Sequence, residues 1–448
     1  MLSTLLSAVQ RIPVSKPQTN SFRTGVGEKS TRRYRKDLTR AQKARRDTCI
    51  SECPTSTYTI HPKGVIMPRR TNTDRELRHI LRSSCLLRQL LIPLEGAVRS
   101  VISREKETSW FPRLPVLVHL MAGLYFHVAQ LHSLRELLSV LAIHQGKAAL
   151  EGTLLKRSTF ADANNSARRL RVIRQVFAAL VQSSERLPRR WKGLQRLAAL
   201  DATLLHCVAS AKWAEYREEV NACKGHLLFD LARSVPKRLV LTTGRTHDRK
   251  PVAAFLQSGW TYIVDRAYND YGLFTQITQL GAFFVTRAKA GAVYHLVANH
   301  RVSRAQRKAG LIADRTIVLG AGPAQMTIPI RLVRYRAKDG HVYEFLTNRF
   351  DLPAVTVADL YQARWAIEIF FKWIKRTLRT ERPLGRSEEA YEAHILLALI
   401  ADILLKLLCK LPQDKRHISV TVLRMIREHL FSYVNKLLLQ DIIQCARK

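Results

Sequence analysis

Three acidic residues lie where a metal site would need them. Asp201 interrupts the apolar run LAALDATLL, and a carboxylate inside a buried strand is costly unless a cation or another partner compensates it. Asp265 ends the apolar stretch TYIV, at the carboxyl end of a predicted strand, where open α/β sheets place their ligands. Glu368 lies within the helical stretch YQARWAIEIFFKWIKRTL. Together, the three carboxylates predict a metal site.

Taken singly, these carboxylates also have structural explanations. Asp265 could cap the turn that follows it, with Arg266 as its partner. Glu368 could pair with Lys372, one helical turn further along. The pattern around Glu368 decides in favour of chemistry.

That pattern consists of Tyr361, Arg364, Glu368 and Lys375, which follow one another at intervals of three, four and seven residues. These steps keep the four side chains on one broad face of a helix. The face offers a carboxylate, two cations and a phenol, which are the groups that a phosphoryl-transfer site requires. A separate apolar stripe supplies the core contacts of the helix, namely Ile367, Phe370, Phe371 and Ile374.

The elements around the carboxylates predict an α/β layer. From about residue 197, short apolar runs alternate with helical segments in the order strand, strand, strand, helix, strand, helix, strand. Residues 290–348 then predict a mostly β segment, with Asp339-Gly340 as a hairpin turn. A helix is predicted from Thr356 to about Thr380, and a second apolar helix from Ser387 to Leu411.

The charge of the chain indicates a polyanionic partner. There are 74 Lys and Arg against 35 Asp and Glu, a formal net charge of +39. Self-repulsion of this size opposes the compact state. Nucleic acid is the first candidate, because phosphates reward Lys and Arg contacts through counterion release. Basic residues are spread along the whole chain, whereas an anionic membrane surface would favour their concentration beside one amphipathic helix.

Membrane insertion and secretion are not expected. No apolar run reaches the roughly 18–20 residues that span a bilayer, and the longest, Ile395–Leu408, is interrupted by Asp402 and Lys406. The first residues are apolar and then basic, but lack a clear small-residue cleavage site, so only an organellar transit peptide stays open as an alternative. The seven cysteines lack paired spacing and predict free thiols in a reducing cytoplasm.

Four regions follow from composition and periodicity. Residues 1–75 are a basic extension, predicted to be disordered when free and able to contact DNA. Met67 is a natural second start, so the first 66 residues could also be an extended reading of the gene. Residues 76–190 predict a helical, basic N-terminal domain suited to DNA binding, 191–384 the α/β core, and 385–448 a helical C-terminal region.

The stretch YQARWAIEIFFKWIKRTL resembles the Y-R-E-K signature of DDE transposases of the insertion sequence 4 family, with Tyr361, Arg364, Glu368 and Lys375 at the signature positions. VDRAYNDYGLF resembles the segment around the second aspartate of that family, usually written D-R-G-Y, and DATLLH its first-aspartate segment. The likeness covers roughly residues 195–410. Ala267 stands where the family usually has glycine, a change that needs only an unstrained φ.

This resemblance implies an RNase H-like catalytic core with a mostly β insertion, preceded by a helical N-terminal domain. It implies cut-and-paste transposition at terminal inverted repeats, with Asp201, Asp265 and Glu368 as catalytic residues that hold two Mg²⁺ ions, for which Mn²⁺ can substitute. A homodimer acting on double-stranded terminal repeats and target DNA in the bacterial nucleoid is expected. The residues expected to contact DNA are Tyr361, Arg364, Lys375, Arg266, Tyr268 and Trp365.

Two alternatives are weighed against this interpretation. A catalytically silent DNA-binding remnant would have no need of intact Asp201, Asp265 and Glu368. A different RNase H-like nuclease, such as a resolvase or ribonuclease, would share the carboxylates but has no reason to carry the Tyr361–Lys375 pattern or the β insertion.

Overall fold

The fold was obtained as a computed structural model, which describes residues 86–105, 114–143, 155–191, 193–194, 196–217, 220–411, 417–431 and 436–447. The predicted basic extension, residues 1–75, and the alternative start at Met67 lie outside these ranges.

Helices occupy both ends of the described chain and strands its middle. The helices are α1 (Leu86–Glu105), α2 (Val116–Val128), α3 (Leu134–Ala142), α4 (Arg157–Asn164), α5 (Ala167–Ser183), α6 (Tyr271–Gln279), α7 (Arg304–Lys308), α8 (Ala354–Ala363), α9 (Trp365–Arg376), α10 (Glu388–Cys409), α11 (Val420–Glu428) and α12 (Lys436–Arg447). The strands are β1 (Leu197–His206), β2 (Glu215–Arg217), β3 (Val220–Asp230), β4 (Val235–Thr243), β5 (Thr261–Val264), β6 (Phe283–Arg287), β7 (Tyr294–Asn299), β8 (Leu311–Leu319), β9 (Ile330–Arg336) and β10 (Val342–Thr347).

The strands form one mixed sheet in the order β2-β3-β1-β5-β6-β10-β9-β8-β7, with β4 also paired to β3. Its centre is parallel, because β1, β5 and β6 run in the same direction, and the flanking pairs are antiparallel. The predicted α/β layer is therefore present. Strand β5 ends directly before Asp265, and Asp201 lies at the same level of the sheet, within the longer strand β1.

The strands of residues 290–348 extend this same sheet. β10 pairs with β6, and β9, β8 and β7 follow outward to the edge. The hairpin between β9 and β10 turns at Asp339-Gly340 as predicted, and Gly340 has a φ of 85°, which a glycine adopts without strain. The short helix α7 was not predicted, since it begins at a local capping box formed by Ser303 and Gln306 within an otherwise β segment.

The helix predicted from Thr356 to about Thr380 is divided in two. It begins earlier, at Ala354, and α8 ends at Ala363, while α9 runs from Trp365 to Arg376. At the junction, the Arg364 amide donates to the Tyr361 carbonyl (3.1 Å) and the Ile367 amide to the Arg364 carbonyl (3.0 Å). These three-residue steps are tighter than α-helical bonding.

Helix α10 is the centre of the apolar core. Its N-terminus is capped by Ser387, whose side chain accepts a hydrogen bond from the Ala390 amide, and almost all of its residues are buried. The N-terminal helices α1, α2 and α5 pack with it in a core that also reaches the sheet. Helices before residue 190 and strands after it therefore share one core, and the domain boundary near residue 190 stays a prediction. None of the described helices combines the length and apolarity that crossing a bilayer requires.

Candidate active site

Asp201 and Asp265 are brought together by the pairing of two parallel strands. Leu200 of β1 lies opposite Val264 of β5. The residue that follows each of them is an aspartate, so Asp201 and Asp265 lie at the same level of the sheet. The Ala202 amide donates to Asp201 Oδ1 (2.8 Å), and the Arg266 amide donates to Asp265 Oδ1 (2.7 Å). One carboxylate oxygen of each aspartate therefore accepts a hydrogen bond from a backbone amide.

The third carboxylate reaches these aspartates from the first turn of α9. Arg364 links it to β1, since Nη2 donates to Glu368 Oε1 and Nη1 lies 3.4 Å from Asp201 Oδ2. The hydroxyl of Tyr361 donates to Asp265 Oδ1 at 3.4 Å. The helical face predicted from spacing therefore contacts both strand aspartates.

The charges of this cluster are partly withdrawn from water. Burial raises the pKa of Asp201 to about 6, and the neighbouring charges of Asp265 and Glu368 add to that effect. The Ala202 amide and Arg364 oppose it. Burial alone would lower the pKa of Arg364, but Tyr361 and the carboxylates outweigh it and the pKa is raised. The three carboxylates thus repel one another, and a cation among them is favourable.

Lys375, near the C-terminal end of α9, is hydrogen-bonded to strand β1. Its Nζ donates to the carbonyl of Leu204, three residues beyond Asp201, at 2.6 Å. Burial lowers the pKa of Lys375, an effect that Glu381 partly opposes. The second signature cation therefore lies beside β1 as well.

A cleft of about 970 Å³ opens beside Asp265 over the β9–β10 hairpin. Asp265, Tyr361 and Arg364 line it. Two of the residues expected to contact DNA, Arg266 and Trp365, also line it, and Trp365 is 52% exposed. The expectation that Tyr268 contacts DNA does not fit the structure, because this side chain is only 2% exposed and belongs to the core under the sheet.

Sequence reasoning missed several side chains that line this cleft. They are cationic and aromatic residues of β6, β9, β10 and their hairpin, namely Arg287, Lys338, Tyr335, Tyr343 and Phe345. The Arg287 guanidinium lies over the Tyr343 ring, 4.8 Å from its centroid. Tyr335 and Tyr343 are a direct pair within the β9–β10 hairpin, and the pairing of β6 with β10 places Arg287 opposite Phe345, a contact that local spacing does not predict.

The donors of this cluster suit a hard divalent cation. They are carboxylate oxygens, partly buried and mutually repelling, which is the environment in which Mg²⁺ or Mn²⁺ is bound. Among the described residues, no three His, Cys, Asp or Glu side chains converge closely enough to hold a metal ion as they stand. The guanidinium of Arg364 contacts one oxygen of Asp201 and one of Glu368.

Comparison with known proteins decides the family. The family model described as "Transposase DDE domain" matches residues 192–404. The putative transposase y4zB of Sinorhizobium fredii is 32% identical over 267 residues, which cover 59% of this chain and 73% of that protein. This chain belongs to the DDE transposases of insertion sequences. The probable transposase for insertion sequence element IS5377 of Geobacillus stearothermophilus is 28% identical, covering 66% of this chain and 81% of that protein.

A third relative is the putative transposase for insertion sequence element IS4SA of Synechocystis, 23% identical over 64% of this chain and 82% of that protein. The resemblance to DDE transposases is thereby confirmed, while membership of the insertion sequence 4 family in particular stays a prediction. As transposases act on DNA, the net charge of +39 also has its explanation. The matched range contains Asp201, Asp265 and Glu368.

Ala267 does not disturb the segment around the second aspartate. Among the described residues, the non-glycine positions with positive φ are Gln130, Ser234, Arg379 and Lys410. Ala267 is not one of them, and it lies in a short 3₁₀ helix, Arg266–Tyr268, capped by Asp265. Glycine is therefore not required at this position for conformational reasons.

Proposed function

We propose that this transposase cuts DNA at the terminal inverted repeats of an insertion sequence and joins the freed ends to target DNA. Asp201, Asp265 and Glu368 are the proposed catalytic residues and the proposed ligands of two Mg²⁺ ions. The observation that best supports this is the convergence described above, in which the Tyr361–Glu368 face contacts both strand aspartates.

The proposed core is RNase H-like, with residues 290–348 as its β insertion and the helices before β1 as a DNA-binding domain. The parallel centre of the sheet, with Asp201 and Asp265 at the same level on neighbouring strands, supports the first assignment. The extension of the same sheet by β10, β9, β8 and β7 supports the second. Because two element ends must be processed together, a homodimer on DNA is part of the proposal.

Divalent ions bound at these carboxylates would activate the attacking water or 3′-hydroxyl and stabilise the leaving oxygen. The residues of the chain perform the remaining tasks. Arg364, with its planar fork, would hold a phosphate beside the scissile bond, and Lys375 would add a point charge. Tyr361 would contact the DNA backbone while its hydroxyl stays near Asp265. Arg266 and Trp365 would contact the DNA in the cleft.

Strand cleavage of a labelled duplex that carries the terminal repeat of the element tests this proposal. The wild type is expected to cut at the repeat boundary in Mg²⁺ or Mn²⁺ and to be inactive in EDTA. Glu368→Gln should lower cleavage by at least about 10³-fold while duplex binding persists, since it removes a charge needed in the transition state. The matched control is Glu428→Gln, which changes an exposed glutamate of α11.

Tight binding without cutting by the wild type would instead identify a silent DNA-binding remnant. Cutting that is unaffected by Glu368→Gln would show that the carboxylate assignment is wrong.

A further inference from the structure

Arg364 contacts the proposed metal ligands and also lines the proposed DNA cleft. On one side its guanidinium contacts Asp201 (3.4 Å) and Glu368, and on the other it lines the cleft together with Arg266 and Lys338. Its side chain is 12% exposed. Its Nε is buried without a hydrogen-bond partner, so the carboxylates do not satisfy the whole guanidinium. A guanidinium carries five N–H donors, so it has capacity for a further acceptor beside its two carboxylate contacts.

Arg364 and a divalent ion compete for the negative charge of the same carboxylates. Arg364 occupies Oδ2 of Asp201 and Oε1 of Glu368. With Arg364 in place, the mutual repulsion of the carboxylates is reduced and their affinity for a further cation falls. With Arg364 withdrawn, the repulsion returns and the carboxylates become a stronger cation site.

We infer that Arg364 is an exchangeable counterion that couples DNA binding to metal binding. Without DNA it neutralises Asp201 and Glu368, and a DNA phosphate entering the cleft draws it away and opens the carboxylates to divalent ions. This inference rests on the proposed function. The consequence of this coupling is that the protein binds divalent ions weakly as long as no DNA is bound. Linkage requires the coupling to be reciprocal, so that metal also strengthens DNA binding by the same factor.

Metal binding can be measured directly and without reference to activity. Free Mn²⁺ is counted by electron paramagnetic resonance while it is titrated into the full chain, alone and saturated with a duplex carrying the terminal repeat. For the wild type, the duplex is expected to raise Mn²⁺ affinity about 5- to 150-fold, the usual range of coupling between two sites. For Arg364→Gln, Mn²⁺ affinity without DNA should rise and the effect of the duplex should fall to less than about twofold.

Arg266→Gln is the matched control, because Arg266 lines the same cleft and, in the part of the chain that the structure describes, no ion pair joins its side chain to Asp201 or Glu368. It should weaken duplex binding and leave the coupling factor unchanged. Equal Mn²⁺ affinity of the wild type with and without DNA would overturn the coupling alone. Absence of Mn²⁺ binding in both states would overturn the proposed metal site itself. An unchanged coupling factor in Arg364→Gln would mean that another group links the two sites.

Discussion

At the scale of single residues, the buried pair Asp402–Lys406 shows how this molecule places charge in its core. Lys406 Nζ lies 2.7 Å from Asp402 Oδ2 and also donates to the Ser234 carbonyl, while Trp373 Nε1 donates to Asp402 Oδ1 (3.1 Å). Lys406→Met should lower the free energy of unfolding by about 3–5 kcal/mol, because it leaves an uncompensated buried carboxylate. Chemical denaturation measures this loss. The double variant Asp402→Asn/Lys406→Met should recover part of it, and a further additive loss would contradict the explanation.

The residues of the candidate site could largely be predicted from the sequence. Helical spacing identifies four of them, namely Tyr361, Arg364, Glu368 and Lys375. The other two, Asp201 and Asp265, stand out as carboxylates within or directly after an apolar strand. What no spacing could reveal is which oxygens Arg364 takes, since that depends on the distance between α9 and β1.

At the scale of elements, two histidines join α2 to α10 and to the chain that leaves α9. The His127 and His394 rings lie 4.5 Å apart, and the rings donate to the carbonyls of Leu378 and Arg379, respectively. Burial lowers the pKa of His127 to about 4 and takes that of His394 well below its usual value. Because both folded pKa values lie below the unfolded value, their contribution to stability is complete above pH 6.5. It is lost as the pH falls from 6.5 toward 4.

This linkage predicts a steep loss of thermal stability between pH 6.5 and 4. For His127 the shift from 6.5 to about 4 corresponds to about 3 kcal/mol. In His127→Asn/His394→Gln, whose amides can still donate but do not titrate, the melting temperature should vary less over this pH range. The exposed His341→Gln serves as control and should follow the wild type. Parallel pH profiles of wild type and double variant, measured by scanning fluorimetry, would count against a role for the pair.

The elements themselves were predicted where the pattern is local and long. The strands β1, β5 and β6, the Asp339-Gly340 hairpin and the capped helix α10 all agree with the apolar periodicity. The break at Arg364 was not predictable, because the apolar stripe continues through it and only tertiary contacts of the side chain mark the position. Nor does local pattern reveal that the strands of residues 290–348 add to the central sheet.

At the scale of the whole molecule, the net charge of +39 governs the encounter with DNA. A protein that makes about 6–10 phosphate contacts loses about 10³–10⁵-fold in affinity between 50 and 200 mM salt. We expect a loss in this range for the full chain on a duplex of unrelated sequence, measured by fluorescence anisotropy. A chain that begins at Met67 should show a shallower salt dependence, since it lacks the basic residues 1–66. Equal slopes for the two chains would mean that those residues make no phosphate contacts.

The order of these elements along the chain also sets when the site is completed during synthesis. The strands with Asp201 and Asp265 leave the ribosome first, and the helix with Glu368 follows only after the whole β9–β10 hairpin. Helix α10, which carries the shared core, comes later still. A growing chain therefore holds two of its three proposed catalytic carboxylates for several seconds while lacking the third, at translation rates of about 5–20 residues per second. Under the proposed assignment, a chain whose synthesis stops before Glu368 lacks one catalytic carboxylate and cannot cut the DNA of its host.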